Sequence, residues 1–125
     1  GFTSRAEFIK DPAGTPSPFD ASPLLANGSL SFAMHLVAAP NNPSAVWKVK
    51  VESNNAATAV EIDITTSTEG KTPAVGVWQT YTFPLQSLFD KGLDVSAIDV
   101  LMVFPAWGQG EGAVYRLDNV TIKQP

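Results

Sequence analysis

Ser29-Leu30-Ser31-Phe32-Ala33-Met34-His35-Leu36-Val37 decides the fold. Leu30, Phe32, Met34 and Leu36 recur at every second position, with Ser31, Ala33 and His35 between them. Successive side chains of an extended chain point to opposite faces, so this period describes a strand with one face in a core. A helix would need its apolar residues three and four apart. The same period returns downstream. Val46 to Glu52 sends Trp47, Val49 and Val51 inward and Lys48, Lys50 and Glu52 outward. Thr58 to Thr65 sends Val60, Ile62 and Ile64 inward and Glu61 and Asp63 outward. Trp78 to Phe83 sets Tyr81 and Phe83 against Trp78, Thr80 and Thr82.

Two further strands depart from simple alternation. Ile98 to Phe104 is apolar on both faces, which predicts a central, fully covered strand. Val114 to Ile122 carries a register conflict: Tyr115 and Leu117 share one face, Val120 and Ile122 the other. A bulge near Asp118 and Asn119 would return all four to the core. An opening strand is expected near Phe2 to Phe8.

The stretches between are loops. Asp11 to Pro23 carries four prolines, Asn27-Gly28 marks a turn, and Pro40-Asn41-Asn42-Pro43 excludes helix. Leu85 to Lys91 reads as one or two helical turns stopped by Gly92. Short strands with no βαβ rhythm predict an all-β antiparallel sandwich, a jelly roll, formed by one domain over residues 1–125.

Composition narrows the function. The chain has 125 residues, a formal net charge of −4 and no cysteine. Its Lys and Arg residues are spread along the chain, so it lacks the basic stripe that tracks nucleic-acid phosphates or anionic membranes. Thiol catalysis and zinc–thiolate sites are excluded. The longest apolar run, Val100 to Trp107, is interrupted by Pro105 and too short to span a bilayer. With no initiating Met, the chain reads as an excised module or a processed product, monomeric when isolated.

Catalytic signals are weak. The one histidine, His35, lies mid-strand, and no G-x-S-x-G elbow exists. Glu61, Asp63 and Glu111 offer carboxylate pairs, as any chain with twelve acids does. The chain is therefore expected not to be an enzyme.

Aromatic residues give the stronger lead. An exposed indole offers an apolar π-face to the C–H faces of sugar rings. Trp107 stands among Pro105, Gly108, Gly110 and Gly112, either displayed by its loop or folded down as a lid. Trp78 either opens onto a groove or packs under a loop, whereas Trp47 belongs to the core. Outward-facing His35, Lys48, Glu61 and Arg116 are candidate partners for sugar hydroxyls, or simply a solvated face. Asp118, at the expected bulge, is a candidate calcium ligand, completed by Glu7 and Asp11 if the first and last strands pair.

Three segments carry a family resemblance: Gly76-Val77-Trp78-Gln79-Thr80-Tyr81-Thr82-Phe83-Pro84-Leu85, Gly92-Leu93-Asp94-Val95-Ser96-Ala97-Ile98-Asp99-Val100 and Tyr115-Arg116-Leu117-Asp118-Asn119-Val120. They resemble the second half of galactose-binding-like carbohydrate-binding modules, closest to the C-terminal domain of bacterial family 3 exo-β-glucanases. Related modules accompany laminarinases. The resemblance spans Val46 to Ile122. It implies a jelly roll that binds β-glucan, with laminarin-type β-1,3-glucan preferred, for a covalently linked hydrolase outside the cell. It also implies a structural calcium at Asp118. The alternative is a domain that packs on a hydrolase and shapes its active site without sugar affinity of its own.

Overall fold

The computed structural model describes residues 4–7, with the side chain of Ala6 alone, and residues 17–124. Phe2, Phe8 and Asp11 lie outside the described residues. The described strands are β1 (Ser4–Glu7), β2 (Ser29–Ala38), β3 (Trp47–Ser53), β4 (Thr58–Asp63), β5 (Trp78–Pro84), β6 (Ile98–Pro105) and β7 (Val114–Lys123). One short helix, α1 (Leu85–Asp90), follows β5, and Gly92 after it takes φ 106°.

The strands form two antiparallel sheets, ordered β1-β6-β3-β4 and β5-β2-β7. Between β1 and β7 the chain changes sheet at every connection except the β3–β4 hairpin. This is the wrapped course of a jelly roll. All the alternations in the sequence hold. Leu30, Phe32, Met34, Leu36, Trp47, Val49, Val51, Val60, Ile62, Ile64, Tyr81 and Phe83 are buried in one core between the sheets.

Aromatic geometry fixes how the sheets meet. Phe32 stacks with Tyr81 and Phe83, ring centroids 5.6 and 6.2 Å away. Trp47 meets Tyr115 edge to face at 4.9 Å, tying the two sheets together. Such pairs contribute about 0.5–1.5 kcal/mol beyond their area burial. Both tyrosine hydroxyls are satisfied: Tyr81 donates to Gln79 Oε1 at 2.8 Å and Tyr115 to the Val103 carbonyl at 2.6 Å.

The bulge in β7 is present. Ser31 pairs with Thr121 and Ala33 with Asp118, leaving an extra residue in β7, and Asn119 adopts φ 53°. Tyr115, Leu117, Val120 and Ile122 consequently all pack on the core.

Two expectations need correction. β6 is central, between β1 and β3, but its two faces are covered unequally. On its outer face Val100 is buried, whereas Met102 and Phe104 are half-buried. The first and last strands do not pair: β1 joins β6 and β7 joins β2. Among the described residues, no helix is long and apolar enough to cross a membrane.

Candidate functional site

The outer face of the β5-β2-β7 sheet is built from the residues that alternation sends away from the core. Register sets them in rows. Trp78, His35 and Arg116 form one row, Thr80, Ala33 and Asp118 the next. Thr82, Ser31 and Thr121 follow, then Pro84, Ser29 and Lys123. Adjacent strands lie about 4.8 Å apart and β2 rises about 3.3 Å per residue, so the rows span about 20 Å from His35 to Ser29.

The face is a trough because the middle strand carries short side chains. Ser29, Ser31 and Ala33 make its floor, with Ser31 buried, while Thr80, Asn119, Thr121 and Lys123 stand exposed on the flanking strands. Ser31, Ala33, Thr80, Asn119, Thr121 and Lys123 line a depression of ≈ 310 Å³. A second depression of ≈ 260 Å³, which shares Ser31, Thr80 and Lys123, continues it to Ser29 and Gln124. The lining is rich in hydroxyls and amides, which both donate and accept.

Trp78 stands at the end of this trough, 53% exposed, with the His35 ring 5.2 Å away and tilted 36° against it. The indole opens outward beside the groove and is not packed under a loop. His35 braces one side of it and leaves an apolar surface for a ligand. On the outer margin of β5, Glu69 fixes the edge. Its carboxylate accepts from the Thr82 backbone N–H and from Thr82 Oγ1, both at 2.7 Å.

Trp107 is 87% exposed, so its loop displays it and it is not a lid. The loop is braced against the β2–β3 connection. Ala106 N donates to the Val46 carbonyl at 2.7 Å, Val46 N to Gln109 Oε1 at 2.8 Å, and Asn41 N to the Glu111 carbonyl at 2.7 Å. β2 ends, and β5 and β7 begin, at this end of the sandwich, so Trp107 and the Trp78 row share it.

The other sequence candidates separate. Lys48 and Glu61 point outward from β3 and β4, on the far sheet, where they neighbour Asp63 and Lys50 across the strands. They do not join the Trp78 row. Asp63 Oδ1 accepts from Thr65 N at 2.9 Å and from Thr65 Oγ1 at 2.7 Å. The first of these bonds, then the second, holds its carboxyl below the usual aspartate range.

The calcium expectation meets a different geometry. Asp118 is exposed, and its Oδ1 accepts the Asn119 N–H at 2.8 Å. Glu7 belongs to β1 in the opposite sheet, and Asp11 lies outside the described residues. Among the described residues, no three His, Asp or Glu side chains gather as a metal cage. Of the three expected ligands, Asp118 alone has a described side chain.

The sequence reading missed the trough. Its floor was visible as the small outward residues Ser29, Ser31 and Ala33, but its walls come from strands distant in sequence. Asn119 enters only through the bulge.

Solved structures share this architecture. The family 30 carbohydrate-binding module of a cellulosomal cellulase of Clostridium thermocellum superposes with a TM-score of 0.56 at 16% identity, covering 86% of this chain and 61% of that one. Two further family 30 carbohydrate-binding module structures give TM-scores of 0.56 and 0.52 at 15% and 17% identity, each over 86% of this chain. The chain spans 54–61% of the length of these neighbours. Identity this low speaks for the fold alone, the β-sandwich that these modules share. No protein-family model matches the sequence, and no curated protein is similar to it.

Proposed function

We propose that the chain is a non-catalytic carbohydrate-binding module whose β5-β2-β7 face holds a polysaccharide. The observation that carries this reading is the open trough of hydroxyl-bearing side chains ending at the exposed indole of Trp78. A sugar ring lays its C–H face on Trp78, and its neighbours along the chain exchange hydrogen bonds with Thr80, Ser31, Thr121 and Asn119. The trough is long enough for several rings in succession.

The fold likeness supports the class of ligand. The resemblance supports the finer reading: a β-glucan, with laminarin-type β-1,3-glucan preferred, bound for a covalently linked family 3 glycoside hydrolase that works outside the cell in bacteria. Exposed contacts to sugars are partly offset by desolvation and ordering, so affinity falls in the millimolar to micromolar range, about 4–8 kcal/mol.

Affinity electrophoresis in gels containing laminarin, barley β-glucan, xylan or agarose tests this directly. Retardation is expected in at least one gel. Trp78→Ala should weaken it at least tenfold, about 1.4 kcal/mol. Trp107→Ala tests whether the ligand reaches over the loop rim. Migration unchanged in every gel would favour a second reading, an accessory domain packed on a hydrolase. Val37, Val75, Val77 and Val114, all exposed near the Trp78 end, favour it, because an apolar patch of this kind suits a protein contact.

A structural calcium is a separate proposal, supported by the resemblance alone. Melting with and without chelator tests it, since an ion bound to the native state must raise the midpoint.

A further inference from the structure

The trough is polar, but it is not neutral at its ends. Arg116 stands exposed in the Trp78 row, next to His35, and among the described residues no carboxylate lies within ion-pair distance of it. Lys123 lines both depressions at the opposite end and likewise has no ion-pair partner among the described residues. Lys50, on the other sheet, is by contrast paired with Glu52 at 3.5 Å. Two acids flank the two cations of the trough: Asp118, in the row next to Arg116, whose Oδ1 accepts the Asn119 N–H, and Glu69 on the β5 margin, whose two oxygens accept from Thr82 N and Thr82 Oγ1. Two cations thus face one trough of a chain whose net charge is −4.

Chemistry says what such cations take. A guanidinium presents parallel N–H groups that match a carboxylate or a sulfate, and it does so without losing its charge at any working pH. A ring stacked on Trp78 carries its substituents across His35 toward Arg116, two strand spacings or about 10 Å from the indole's strand. We propose that this face selects polysaccharides whose sugars carry acid groups, carboxylate or sulfate, with Arg116 and Lys123 as the two anion contacts. The inference rests on the carbohydrate-binding reading above and departs from its preference for an uncharged β-glucan. Asp118 sets the spacing: acid groups sit at the ends of the trough and an uncharged stretch crosses its middle.

Matched pairs of probes separate charge from backbone shape. Laminarin is titrated against sulfated laminarin, and an oligoglucuronate against its carboxyl-reduced form, by calorimetry at about 0.15 M salt, where charges more than about 8 Å apart are screened. The acidic member of at least one pair is expected to bind at least fivefold more tightly, and the advantage should shrink as salt rises. The two pairs distinguish sulfate from carboxylate. Arg116→Gln combined with Lys123→Gln should bring the acid-to-neutral ratio to about one, whereas Lys50→Gln should leave the ratio as in the wild type. Equal binding within both pairs overturns the inference and leaves the carbohydrate reading standing. So does an advantage that survives the double substitution, or one that Lys50→Gln removes equally. Absence of binding to all four probes overturns the inference, and the gels containing barley β-glucan, xylan or agarose then decide the carbohydrate reading.

Discussion

Asn54, Asn55 and Ala56 pass in succession through the left-handed region, with φ of 51°, 56° and 65°. Asparagine tolerates this conformation, but an alanine there is strained by its Cβ, at about 1–2 kcal/mol. The turn is held in place, since Asn54 N donates to the Ala97 carbonyl and Asn55 N to Asp99 Oδ2, both at 2.8 Å. Ala56→Gly should therefore stabilise the fold by up to about 1 kcal/mol after the glycine's extra freedom in the unfolded chain is subtracted. A urea titration measures it, and an unchanged or lower midpoint would contradict the strain. At this scale the sequence was legible for the core and for Trp47. It was silent on Trp78, whose two open readings differ only in what covers the ring. The structure decides between them with His35 beside the indole and more than half its surface free.

At the scale of elements, β7 was the most informative segment. Its two apolar pairs, Tyr115 with Leu117 and Val120 with Ile122, are out of phase by one residue, and only an added residue reconciles them. That residue is Asn119, at φ 53°. Asn119→Val puts a β-branched side chain into a left-handed position and should cost about 1–2 kcal/mol, whereas Asn119→Gly should stay within about 0.5 kcal/mol of the wild type. Denaturant midpoints of both variants check the bulge. What single strands could not reveal was which sheet each would join. Alternation gives inward and outward, and a sandwich has two outward faces. Lys48 and Glu61 were correctly outward, yet they lie on the far face. Trp78, His35 and Arg116 meet only because β2 pairs with both β5 and β7.

For the molecule as a whole, ionisable groups set a pH window. Asp63 and Asp94 each accept from a backbone N–H and a hydroxyl two residues on, which lowers both carboxyls. For Asp63 the backbone bond is the larger cause, for Asp94 the Ser96 hydroxyl. Their folded pKa values lie below the unfolded ones. The stability they contribute is thus complete above the usual aspartate pKa of about 4 and is lost as pH falls through the folded values. Tyr81 has the opposite sign. Burial, with the Glu69 carboxylate second, pushes its phenol up to about 12. The contribution of the neutral phenol is fully present below the unfolded tyrosine value of about 10 and is lost as pH rises toward the folded one. Urea midpoints should be level between about pH 5 and about pH 9 and fall on both sides. Tyr81→Phe should flatten the alkaline limb, and an unaltered limb would remove Tyr81 as its cause.

The floor of the trough has one more consequence. Ser29, Ser31 and Ala33 are short and sit on a central strand held from both sides, so they have few rotamers to lose when something settles on them. A long flexible side chain would forfeit up to about 2 kcal/mol of conformational entropy on being immobilised, and an alanine forfeits none. The ordering that accompanies binding therefore falls mainly on the ligand. Stiffening an oligosaccharide at its linkages should recover most of the conformational entropy that binding to this face costs.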